Sequence, residues 1–157
     1  MTQNKELGDN EQQMQRQIVI NIQYIKDLSF ENPGAPDSLV GREEAPKIGV
    51  SVDVKVQRLA QNSFEVALVV SASAEANEKK LFVVEVAYAG VFTINVPEAE
   101  LEQVLMIYCP NMLFPYVRRV VSDSVRDGGF PPLMLDPIDF AALYIRHKNE
   151  ETKRRAN

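Results

Sequence analysis

The chain offers few residues that could do covalent or metal chemistry: one histidine and one cysteine in 157 residues. His147 sits in a charged run near the C-terminus. A metal site or a nucleophile–base pair needs partners that it lacks, so it reads as a solvated surface residue. Cys109 precedes Pro110 inside an apolar stretch. A reactive thiolate needs an accessible, electropositive setting, so Cys109 reads as a buried structural thiol. A single cysteine also excludes an intramolecular disulfide, which fits a reducing compartment. Gly128-Gly129 is too little for a phosphate-binding loop and fits a helix stop. Asp136 and Asp139 are better explained by capping than as a catalytic pair. The sequence therefore assigns no catalytic residue, no metal and no cofactor, and the chain does not read as an enzyme.

Charge is the other possible chemistry. The net charge is −5. Residues 1–100 hold 15 acids and 9 bases, and residues 101–157 hold 7 acids and 8 bases. Arg118-Arg119 and Lys153-Arg154-Arg155 are short basic runs without aromatic interleaving in an acidic chain, a poor basis for nucleic-acid binding. Asp27, Glu31 and Glu85 stand on or just past the first and fourth predicted strands. They form either an ordinary solvent-facing sheet surface or a patch for a basic partner, where charge sets on-rate and specificity.

These residues must be positioned by a single domain, given the length. Residues 1–15 are rich in Gln, Asn and Glu and read as a disordered tail. The domain spans 16–147, and 148–157 reads as a flexible tail once the chain turns polar and basic after His147. Ile18, Ile20, Ile22 and Tyr24 alternate with Val19, Asn21 and Gln23, the mark of a half-buried strand running to about Phe30. Glu31–Pro46 carries three prolines and two glycines and is long for a compact domain, so it reads as a crossover. Three further strands follow. Ile48, Val50, Val52, Val54 and Val56 mark the second, and Phe64, Val66, Leu68, Val70 and Ala72 the third. The fourth covers Leu81–Ile94, with Gly90 as a candidate bulge or bend. Gln61-Asn62 and Glu75–Lys80 are the predicted turns. No segment approaches the roughly 18 apolar residues of a membrane span, and the N-terminus lacks the apolar core of a signal peptide.

Pro97 with Glu98 and Glu100 signals a helix start, and Arg126-Asp127-Gly128-Gly129 its end. This long helix holds Pro110 and Pro115, each costing about 3 kcal/mol in a helix interior, so packing or a kink must compensate. It is apolar on two sides: Leu101, Leu105, Tyr108 and Met112 form one row, and Val104, Ile107, Phe114, Val117 and Val121 another. One side suits a sheet and the other a partner, such as a second copy. Asp136-Pro137-Ile138-Asp139 reads as the cap and first turn of a last helix bearing Phe140, Leu143 and Tyr144. The fold class is α+β: a four-stranded antiparallel sheet, then a long kinked helix and a C-terminal helix.

Three motifs carry a family resemblance. They are Lys26-Asp27-Leu28-Ser29-Phe30-Glu31-Asn32-Pro33, then Tyr108-Cys-Pro-Asn-Met-Leu-Phe-Pro-Tyr-Val-Arg118, then Gly128-Gly-Phe-Pro-Pro-Leu-Met-Leu-Asp-Pro-Ile-Asp-Phe140. In this order they closely resemble the bacterial protein-export chaperone family SecB, over about Gln17 to Tyr144. The resemblance implies a cytoplasmic, ATP-independent chaperone that holds precursor proteins unfolded and delivers them to the SecA motor. It implies a homotetramer, a dimer of dimers with the long helices at its centre, for which Leu105, Tyr108, Cys109 and Met112 are the interface candidates. It places the SecA contact at Asp27, Glu31, Val83 and Glu85, with Val83 in place of a leucine. The partner segment is a small basic zinc-binding tail of the motor, so the zinc is not this chain's. It places the client groove at Ile48, Val50, Val52, Leu133, Leu135, Phe140, Leu143 and Tyr144. Gly41-Arg42 stands where the family has an aromatic residue, and the C-terminus is basic rather than acidic. The alternatives are a SecB-like holdase for another client such as an antitoxin, a non-chaperone oligomeric ligand-binding protein, and a purely structural oligomer.

Overall fold

The computed structural model describes residues 16–41 and 44–157. The tail expected over 1–15, and Arg42 of the crossover loop, lie outside them. Four strands, β1 (Gln17–Glu31), β2 (Lys47–Ala60), β3 (Ser63–Ala76) and β4 (Lys79–Asn95), form one antiparallel sheet in the order β1-β4-β3-β2. β1 and β2 are thus the two edges. The connection between them, which includes a 3-10 turn at Asp37–Leu39, carries the chain from one edge to the other. This is the crossover that its length implies.

Alternation decides which residues face the core. Phe64, Val66, Leu68, Val70, Ala72 and Ala74 of β3 pair with Phe92, Gly90, Tyr88, Val86, Val84 and Phe82 of β4. All but Gly90 belong to the core cluster, which also takes in the long helix. This covered face carries the packing. The other face is open and bears smaller and polar residues, among them Ala67, Ser71, Ser73, Glu85 and Ala87.

β1 departs from simple alternation. Ile18 and Ile20 pair with Ile94 and Phe92 on the covered face, but the register shifts between Ile20 and Ile22. The extra residue turns Ile22 and Tyr24 to the open face, opposite Val91 and Ala89, and leaves Ile22 58% exposed. A second shift lies between Ile25 and Asp27. The irregularity belongs to β1, not to β4 at Gly90. Gly90 serves a different purpose: a Cβ there would come within 2.9 Å of the Phe92 ring and 3.2 Å of Leu113. Its absence lets the helix settle closely onto the sheet.

The long helix runs continuously as α1 (Glu98–Gln103), a π-helical segment (Val104–Tyr108) and α2 (Cys109–Asp127). Pro110 has no N–H to donate, and its ring crowds the carbonyl four residues earlier. That carbonyl belongs to Met106, inside the π-helical segment, where the wider turn relieves the crowding. The helix ends in a paired cap: Phe130 N–H donates to Val125 O at 3.2 Å and Gly129 N–H to Arg126 O at 3.0 Å, with Gly129 at φ +93°.

The last helix, α3, spans Phe140–Ala156. Asp139 alone is the cap, its carboxylate accepting from Ala142 N–H at 3.0 Å; Asp136 stays in the extended segment before it. Residues 148–157, expected as a tail past the helix, are helical as far as Ala156. Glu150 and Glu151 stand four residues before Arg154 and Arg155, and three bases occupy the last turn. Both arrangements favour helix continuation.

Candidate functional site

Two surfaces stand out, one on each side of the sheet. On the covered side, β2 lies beyond the helix, so its inward-facing side chains are only partly roofed. Ile48 and Val50 are 45% and 49% exposed, while Val52 and Val54 pack against the core. At the Ile48 end a cavity of about 510 Å³ opens between the crossover loop, β2 and the segment after α2. Leu39, Val40, Pro46, Phe82, Phe130 and Leu133 are among its walls. Beside it Phe30 stacks on Phe82 at a ring-centroid distance of 6.0 Å, and Phe130 lies tilted against Phe82 at 5.0 Å. The loop wall is fixed by Ser38, whose hydroxyl donates to Asn32 Oδ1 at 2.6 Å, and by the Asn32 amide, which donates to Gly128 O at 3.2 Å. At the far end of the strip Leu143, Tyr144 and His147 of α3 pack beside Asp53, Val54 and Met106. Lys148 Nζ, 2.7 Å from Glu102 Oε1, ties α3 to α1.

Of the groove candidates, Ile48, Val50, Val52, Leu133, Leu143 and Tyr144 lie along this strip and its ends. Leu135 and Phe140 do not. They are 4% and 1% exposed and belong to the core, with Phe140 edge-on to Phe114. Phe140 anchors the first turn of α3 in the core, and Leu135 anchors the extended segment that leads to it. Leu39, Val40, Pro46 and Phe130 were not among the candidates. The apolar pair Leu39-Val40 in an otherwise polar loop was the signal available.

Two of the four interface candidates on the long helix, Leu105 and Cys109, are likewise core residues. Leu105 and Cys109 face the protomer's own sheet at 8% and 0% exposure, Met112 is half-buried, and Tyr108 is 47% exposed. Burial pushes the Cys109 thiol up to about 12, so it is neutral and unreactive. The core stripe is Leu105, Cys109, Leu113, Val117, Val121 and Val125.

On the open side, Glu31 pairs directly with Val83, Glu85 lies opposite Ser29, and Asp27 lies opposite Ala87. Asp27, Glu31, Val83 and Glu85 therefore share one face at the end of the sheet nearest the cavity. Among the described residues none of the three carboxylates makes an ion pair. Beside them Glu65 accepts from the Tyr24 hydroxyl and lies 2.6 Å from Lys26 Nζ. The Lys26 ammonium, with the Tyr24 hydroxyl, holds the Glu65 carboxyl below its usual range. The same hydrogen bond, with burial, pushes the Tyr24 phenol up to about 12.

Among the described residues no group of three or more His, Cys, Asp and Glu is placed to hold a metal, and no helix is long and apolar enough to cross a membrane.

Comparison with known proteins gives the chain its family. Residues 11–151 match the family model described as preprotein translocase subunit SecB. The chain belongs to the SecB family. It is 55% identical over 129 residues to the protein-export protein SecB of Parvibaculum lavamentivorans, covering 82% of this chain and 77% of that one. It is 48% identical over 138 residues to the protein-export protein SecB of Maricaulis maris, covering 87% and 80%. Among solved structures, a Mycobacterium tuberculosis SecB-like chaperone in complex with a ChAD peptide from the HigA1 antitoxin is similar. Its TM-score is 0.64 at 16% identity, over 77% of this chain and 90% of that one. At that identity the likeness speaks for the SecB fold alone.

Proposed function

We propose that this SecB-family chain is a cytoplasmic, ATP-independent export chaperone that holds precursor proteins unfolded and delivers them to SecA. One observation carries the reading: the apolar cavity and strip lie on one side of the sheet and the unpaired carboxylates on the other. A client and a motor can therefore be held at once without competing for surface. The relatives named as export proteins favour this client class over an antitoxin. No reaction is assigned to the chain.

The groove suits unfolded chain. Burying about 500 Å² of apolar client surface returns roughly 12 kcal/mol. Ordering about ten client residues costs roughly 10–20 kcal/mol. One groove is near break-even and binds weakly and promiscuously. Several linked grooves on a homotetramer hold a long chain through effective concentration. Tyr108, Tyr116, Ile25 and Leu28, all between 39% and 47% exposed, give the helix and β1 an apolar surface that suits such assembly.

SecA contact through Asp27, Glu31, Val83 and Glu85 is tested by Asp27→Lys and Glu85→Lys. Each is expected to abolish SecA binding in a titration while leaving the delay of precursor refolding unchanged. Equal loss of both activities would make the acidic patch structural.

A further inference from the structure

The register shift in β1 creates an electrostatic difficulty on the docking face. Tyr24 lies opposite Ala89, Ile25 opposite Tyr88 and Asp27 opposite Ala87, so Lys26 is the extra residue. Without the shift, Lys26 would pair with Ala87 on the open face and alternation would turn Asp27, Ser29 and Glu31 to the covered face, where Val84, Val86 and Tyr88 are buried. The bulge brings the acids to the open side, where alternation already places Lys26. Lys26, Asp27 and Glu85 line one hollow of about 410 Å³, with Lys55 and Glu65. Lys26 adjoins Asp27 in β1, whereas Lys55 stands on β2 at the opposite edge of the sheet, so Lys26 is the cation that would neutralise the acids and repel a basic partner.

Glu65 answers this difficulty. It reaches across from β3, two strands away from β1, with its side chain 14% exposed and its Oε1 2.6 Å from Lys26 Nζ. The Tyr24 hydroxyl fixes the other carboxylate oxygen. The floor between them is built of small residues, Ala67, Ala87 and Ala89, over which long side chains can lie. We propose that Glu65 is a positioning residue of the docking face: it takes up the charge of Lys26 and so leaves Asp27 and Glu85 available to a basic partner. This inference rests on the SecA-docking reading above. It assigns to Glu65 a role in partner affinity without direct contact.

The test is a titration of purified SecA against four variants at low ionic strength. Glu65→Gln keeps the side chain's size and is expected to weaken binding about threefold to fivefold, the range of a partly exposed charge pair. Glu65→Gln combined with Lys26→Gln is expected to restore it. Glu150→Gln, which removes an equal charge from exposed α3, is expected to change nothing. Refolding delay of an unfolded precursor should be unaltered throughout, since Glu65 lies on the side away from the groove. If Glu65→Gln behaves like Glu150→Gln, or if the Lys26 change does not restore binding, the inference is overturned. Asp27→Lys separates the two readings: if it too leaves SecA binding intact, the docking face itself is misassigned.

Discussion

Glu65 shows how much one carboxylate can depend on its neighbours. Lys26 and Tyr24 both stabilise its charged form, so its acidity is strengthened relative to the unfolded chain. A carboxyl with a lowered folded pKa contributes stability that is fully present above its ordinary value of 4.5 and is lost as pH falls through the lowered value. The stability gap between the natural chain and Glu65→Gln, measured by urea unfolding, is therefore expected to stay level from pH 7 to 5 and to shrink below 4.5. A gap that shrinks already between pH 7 and 5 would contradict the clamp. At the same scale Cys109 illustrates the opposite case. Its neighbours are apolar, and burial alone keeps it protonated.

At the scale of elements, the turns and strands differ in how plainly the sequence specifies them. The β3–β4 hairpin closes through Asn77 and Glu78, both in the left-handed region at φ 53° and 62°. Asn accepts this conformation, but Glu meets its Cβ penalty, and the favoured residue at the second position is glycine. Glu78→Gly is expected to raise stability by about 1 kcal/mol, read as a higher urea midpoint at unchanged slope. A lower midpoint would mean that the Glu78 side chain is needed at the turn. β2 and β3 were legible because they alternate over most of their length, β4 because it is rich in β-branched and aromatic residues, and the helix ends because proline, aspartate and glycine mark them to within a few residues. The bulges in β1 were not. An extra residue leaves no mark in a run where Ile18, Val19, Ile20, Ile22 and Ile25 suit either face. The long helix was legible, but the stripe that faces the sheet was not, for a related reason. It is apolar on two sides, so periodicity could not choose between the row through Leu105 and Tyr108 and the row through Val104 and Val117, and the buried stripe draws on both. Only the sheet it covers, and the close approach of Leu113 at Gly90, decides.

At the scale of the whole molecule, one sheet separates two surfaces of different chemistry. Asp27, Glu31 and Glu85 were named from the sequence, and their convergence on the open face depends on the second bulge. The groove was identifiable only in part, because alternation marks Ile48, Val50 and Val52 but says nothing of whether Leu135 and Phe140 line a wall or lie beneath it. The surface left uncovered on the helix and on β1 suits assembly into the proposed tetramer. The most direct test of the central claim is the mass of the assembly, by light scattering on a sizing column, with an unfolded, slowly refolding precursor and with the same precursor folded. The account predicts a mass near four protomers that gains the unfolded precursor and ignores the folded one. A tetramer that gains neither would contradict it.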